Sequence, residues 1–150
     1  MKNRVPPMNI DIKAPIIPFV GMGNIKLYAT IDDLSDILSM EGVIMTKMGH
    51  WIRYQIGDAM YLFFLKKNNK LFKITTLDGY KGKLWGMIGT DTVEKTLLTL
   101  DDSFVWDDWD EIWQSPKGVF IEGYDGTGLC TWITVYIKEL FDPDFAKGKW

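Results

Sequence analysis

The sequence predicts an α+β fold in which about six strands form one antiparallel sheet and two helices gather mainly on one face. Three observations predict it. Six short runs have strand-like composition, and compact polar turns separate most of them. Two stretches with helical spacing start at Thr30 and Thr92, and each precedes three of those runs. In Thr131–Lys138, Ile133, Val135 and Ile137 alternate with Trp132, Thr134 and Tyr136, which leaves an aromatic second face open.

The first 18 residues carry Pro6, Pro7, Pro15 and Pro18 and read as an extended segment, with at most an edge strand at Ile10–Lys13. Gly21-Met22-Gly23 marks a turn, and Asn24–Leu27 a short strand. Thr30 is placed to cap a helix with Asp33 three residues on, a capping box with Asp in place of Glu. Ile31, Leu34, Ile37 and Leu38 fall on one face of that helix, Asp32, Asp33 and Asp36 fall near its positive end, and Gly42 closes it.

Trp51–Ile56, Ala59–Leu65 and Leu71–Leu77 follow as strands, with turns at Gly57-Asp58 and at Lys66-Lys67-Asn68-Asn69-Lys70. A helix over Thr92–Leu100 presents Val93, Leu97 and Leu100, and strands at Glu111–Gln114, Gly118–Gly123 and Thr131–Lys138 complete the set. The two helix starts lie 62 positions apart, so the chain reads as two helix-then-three-strand units, through duplication or chance. The 150 residues suit a single domain with one core, and the tail over 141–150 is expected to dock loosely.

Composition excludes several classes. One cysteine cannot form an internal disulfide, and no stretch of about 18 apolar residues is present to span a membrane. The opening Met1–Pro7 has no hydrophobic signal core, which makes the cytoplasm the expected compartment. A net charge of −3 argues against a nucleic-acid binder. The charge is also uneven. Residues 66–83 hold six lysines against Asp78 alone, a net +5, whereas residues 91–125 carry a net −8. Asp101, Asp102, Asp107, Asp108, Asp110 and Glu111 form a block without a base, and such a block needs solvent, a cation or a basic partner.

Catalytic signatures are missing. His50 sits in a turn and Cys130 precedes a strand, with nothing local to pair them as base and nucleophile. No zinc-ligand spacing, EF-hand loop, Walker pattern or dinucleotide fingerprint occurs, so neither a metal nor a cofactor is expected. The acids offer glycosidase-like pairs with no environment to single one out, and a small carboxylate enzyme is the third choice of function.

The segment Phe104–Trp113 interleaves Trp106, Trp109 and Trp113 with Asp107, Asp108, Asp110 and Glu111. Spacings of three and four also fit one helical face that packs as core. Exposed, the same mixture suits a basic protein partner, because aromatic anchors dominate interface energy and opposite charge speeds association. Carboxylates standing where phosphates would lie can plug a nuclease cleft without chemistry. The expected contacts are Asp101, Asp102, Trp106, Asp107, Asp108, Trp109, Asp110 and Glu111, with Tyr124 and Asp125 on the last hairpin. The alternative is a sugar- or peptide-binding module using Trp132 and Tyr136 on the open sheet face.

Ile25–Leu34, with Gly23 upstream, resembles the G-x-I-x-L-x-x-[ST]-x-x-[DE]-L opening of small bacterial immunity proteins. Tyr80–Thr92, Lys117–Glu122 and Ile133–Tyr136 are similar to later segments of the same layout, and the likeness spans roughly residues 19–138. The repeated helix-plus-strands plan is also similar to that of the β-lactamase inhibitor protein. The resemblance implies an immunity protein of a contact-dependent growth inhibition or other polymorphic toxin system. Its partner would be a cognate toxin domain.

Overall fold

Opposed apolar residues set the architecture of the computed structural model, which describes residues 9–122 and 127–150. A two-stranded ribbon, β1 (Gly21–Met22) and β2 (Ile25–Lys26), precedes one helical turn, α1 (Ser35–Leu38). Four strands follow: β3 (Ile44–Met48), β4 (Trp51–Ile56), β5 (Met60–Leu65) and β6 (Leu71–Thr76). A 3-10 turn at Glu94–Thr96 then runs into a second short helix, α2 (Leu97–Leu100). Four more strands complete the chain: β7 (Val105–Asp107), β8 (Ile112–Ser115), β9 (Val119–Glu122) and β10 (Trp132–Tyr136).

The eight strands β3 to β10 form one antiparallel sheet in the order β3-β4-β5-β6-β10-β9-β8-β7. It is two four-stranded meanders joined along β6 and β10. Tyr54, Leu62, Ile74, Val135 and Val119 stand opposite one another across five strands and make a continuous apolar row. Leu62, Ile74, Val135 and Val119 are fully buried, and burying each such side chain contributes roughly 1.5–3 kcal/mol. At the seam the Thr75 and Thr134 hydroxyls bond at 2.8 Å. Thr76 Oγ1 accepts the Ile133 N–H at 2.9 Å and donates to the Thr131 carbonyl at 2.8 Å.

Long irregular segments cover the apolar row. Ile16, Met22, Ile25, Leu27, Leu34 and Ile37 come from the first, and Leu84, Ile88, Leu97 and Phe104 from the second. The buried Tyr80 ties the two together, because its hydroxyl donates to the Ala14 carbonyl and accepts the Gly23 N–H. Ile10–Lys13 is no strand: Ala14 N–H closes a turn on the Asp11 carbonyl.

The α+β class holds, but the sheet has eight strands rather than about six. The two additional strands, β3 and β7, are the outermost, so each helix precedes four strands instead of three. The helices are also shorter than the spacing predicts. Thr30 and Asp33 do exchange the reciprocal capping bonds, each at 3.0 Å, yet only Ser35–Leu38 is α-helical. At the second start, Cys130 N–H holds the Thr92 carbonyl, and Val93 bridges Leu129. These pairings keep the backbone extended where the sequence predicts a helical turn.

The second face of β10 is not open along its length. Tyr136 is 6% exposed, stacks on Phe120 at 4.6 Å and meets the edges of Phe19 and Phe141. Gly118 admits this packing: its φ is 100°, and a Cβ there would lie 2.6 Å from the Phe19 ring. The tail is held rather than loose. Phe145 packs on Phe72, Trp150 stacks on Phe145 at 5.4 Å, and Asn68 and Lys70 bond the carbonyls of Gly148 and Trp150.

Candidate functional site

β7 and β8 form a hairpin at one rim of the sheet, with Trp106 opposite Trp113 and Asp107 opposite Ile112. The segment is therefore not a helix, and its three tryptophans part company. Trp113 packs against the core, and its indole N–H donates to Glu94 Oε2 at 2.9 Å. Trp106 meets Trp113 edge-on at 5.2 Å and is 40% exposed. Trp109, on the loop, is 93% exposed.

Asp107 builds that loop. Its Oδ1 accepts the backbone N–H groups of Trp109 at 2.9 Å and Asp110 at 3.2 Å, an Asx-type turn. Its Oδ2 accepts Gln114 Nε2 at 3.2 Å from the facing strand. Asp108 Oδ1 accepts the Trp106 indole N–H at 2.6 Å. Glu111 returns the chain to β8 through a left-handed conformation, φ 55°, which a non-glycine residue adopts at some cost. The loop thus presents one large aromatic side chain among exposed carboxylates on a hydrogen-bonded frame.

The six expected acids divide. Asp101 accepts Lys117 Nζ at 2.7 Å, its side chain is only 9% exposed, and it also accepts the Ser103 N–H. It is a framework residue, and its expected place among free contacts does not stand. Asp102, Asp107, Asp108, Asp110 and Glu111 take part in none of the three ion pairs among the described residues. The field of the hairpin reaches its neighbours: burial pushes the Glu122 carboxyl up against the pull of Lys73, and Asp110 adds to the rise. Tyr124 and Asp125 lie outside the described residues. The sequence did not mark Glu94, Gln114 or Lys117 as supports of this region; cross-strand pairing of Trp106 with Trp113 is the signal that would have found Gln114.

Other candidate chemistry is sparse. His50 is exposed in the turn joining β3 to β4. Cys130 is fully buried, and burial, with the nearby Glu94 carboxylate, pushes its thiol up to about 12. Among the described residues no three His, Cys, Asp or Glu side chains group to hold a metal ion. A cleft of about 500 Å³ opens near the seam, lined in part by Tyr61, Trp132, Asp58 and Asp78.

Comparison with known proteins finds no matching family model, no matching curated protein and no matching solved structure. Among the described residues no helix is long and apolar enough to cross a membrane.

Proposed function

We propose that this protein is a non-enzymatic immunity protein that binds and neutralises a cognate, basic toxin domain, of nuclease type, in the cytoplasm. One observation carries the reading: Trp109 projects almost fully into solvent from a loop whose carboxylates have no cationic partner among the described residues. An exposed tryptophan of this kind serves as an anchor worth about 2 kcal/mol or more on docking. The surrounding carboxylates steer a basic partner and speed its association. The frame built by Asp107 lowers the ordering cost of binding, because the loop is already shaped. The contacts are Asp102, Trp106, Asp107, Asp108, Trp109, Asp110 and Glu111.

Co-expression with the proposed cognate toxin domain tests the reading. The wild-type chain restores growth, and the affinity of the purified pair falls steeply with salt. Asp108→Lys with Asp110→Lys abolishes protection and flattens the salt slope. Protection and salt slope that survive both substitutions defeat the electrostatic basis of the proposal.

The alternative, a sugar- or peptide-binding module, draws support from the cleft that places Trp132 and Tyr61 beside Asp58 and Asp78. Aromatic faces flanked by carboxylates suit a hydroxyl-rich ligand. Tyr136 drops out of that reading because Phe19, Phe120 and Phe141 cover it. A saturable change in tryptophan fluorescence with an oligosaccharide, lost in Trp132→Ala, would favour this second reading.

A further inference from the structure

Two buried side-chain donors among the described residues have no acceptor, the Trp51 indole N–H and the Arg53 Nε–H. They lie two residues apart on β4, on the same face. An unmet buried donor costs about 1–3 kcal/mol, so two at one spot call for an explanation. A third group adds to it. Arg53 is opposite Phe63, and Phe63 is opposite Lys73, so the two cations flank one ring across three strands. Both lean over β5: the guanidinium stands 4.4 Å from the Tyr61 ring centre and the ammonium 4.2 Å from that of Phe63. Those two rings are 6.2 Å apart.

Neither Arg53 nor Lys73 belongs to any of the three ion pairs among the described residues. Burial pushes the Lys73 ammonium below its ordinary range, and Glu122 only partly opposes this from beyond ion-pair distance. Two cations seated over neighbouring rings of one sheet face, neither in an ion pair, are costly unless an anion serves them. The planar fork of arginine matches two oxygens of one carboxylate or phosphate, and lysine adds a point charge.

We propose that the β4–β6 face carries an oxyanion site, in which Arg53 and Lys73 hold one carboxylate or phosphate group of a small solute above Tyr61 and Phe63, beside the Trp51 indole. This site is separate from the acidic hairpin and does not depend on its function. The seven tryptophans give the test its readout, since ¹⁵N-indole labelling resolves each N–H and a Trp51→Phe variant assigns the relevant peak. Inorganic phosphate and acetate are titrated separately at constant ionic strength against sodium chloride. The expected result is a saturable shift of the Trp51 peak with at least one of them, with the other indole peaks unmoved. Whichever saturates identifies the preferred oxyanion. Arg53→Gln and Lys73→Met, each checked for wild-type dispersion of the remaining peaks, should weaken apparent affinity at least tenfold. If one variant fails to fold, the other decides. No shift with either anion, an equal shift with chloride, or unchanged affinity in a folded variant overturns the assignment.

Discussion

Lys117 Nζ donates to Asp101 Oδ2 at 2.7 Å, which separates Asp101 from the five other acids of its segment. The same ammonium lies 4.7 Å from the Trp85 ring centre, so this contact ties the β8–β9 turn to the irregular layer. Burial pushes the Asp101 carboxyl up, but the hydrogen bonds from Lys117 and Ser103 outweigh it and hold the group below its ordinary value of 3.8. A carboxyl held lower when folded stabilises the fold above its unfolded value. That stability disappears as pH falls through the folded value. Asp101→Asn should therefore lower stability by about 1 kcal/mol near neutral pH, because the exposed Lys117 makes the pair partly screened. The difference from wild type should shrink as pH falls below the ordinary carboxyl value and through the lower folded one, by urea denaturation across pH.

Trp109→Ala should leave folding stability within about 0.5 kcal/mol, since the side chain is almost wholly in solvent. The same substitution should remove most of the tryptophan fluorescence that caesium ions quench. Caesium is drawn to carboxylates, and Trp109 is the more exposed of the two indoles among them, 93% against 40% for Trp106. Caesium quenching unchanged in Trp109→Ala would contradict the exposed acidic loop.

Asp107 is a special case among the acids, because it folds the loop as well as charging it. Asp107→Ala should cost about 1–2 kcal/mol and speed hydrogen exchange at the amides of Trp109 and Asp110. Asp107→Asn should restore most of the protection, as its amide oxygen still accepts. Equal protection in Asp107→Ala and wild type would show that the loop holds its shape without this side chain.

Cys130 should resist a thiol-specific disulfide reagent at pH 8 in the native protein and react at once in denaturant. Its burial and raised thiol leave almost no thiolate to attack. Labelling rates in the native state should follow global unfolding as urea increases, and rapid native labelling would place Cys130 in a looser environment.

Deleting residues 145–150 should destabilise the protein by about 2–3 kcal/mol, because Phe145 is lost from Phe72 and Trp150, stacked on Phe145, is lost from Tyr28. Phe145→Ala alone should account for much of this. Thermal and urea unfolding both read the effect, and an unchanged midpoint would make the tail dispensable.

Periodicity located the strands whose faces meet a core. Trp51–Ile56 and the alternating Ile133, Val135 and Ile137 were legible because burial imposes their pattern. β3 and β7 were not. At the rims of the sheet one backbone edge is unpaired and the side chains are half in water, so Ile44 and Val105 alternate with nothing that forces a period of two. The helices were overestimated for a related reason. Capping and spacing at Thr30 and Thr92 are local signals, and pairings with distant segments kept the backbone extended at both starts. Of the candidate site, charge was visible in the composition. The division between Asp101 and its neighbours depended on Lys117, 16 residues away, and was not. Arg53 and Lys73 went unmarked because they sit on separate strands and meet only across Phe63.

The position of β10 bears on how the chain is made. β10, made after the seven other strands of this sheet, lies in its middle, between β6 and β9. Until it arrives, both of those strands present raw edges, and the two meanders have only the irregular layer between them. Each meander closes through short-range contacts, whereas the seam joins residues 59 positions apart. A nascent chain halted before residue 132 would therefore be vulnerable to aggregation, and the synthesis of β10 doubles as the step that joins the two halves of the sheet.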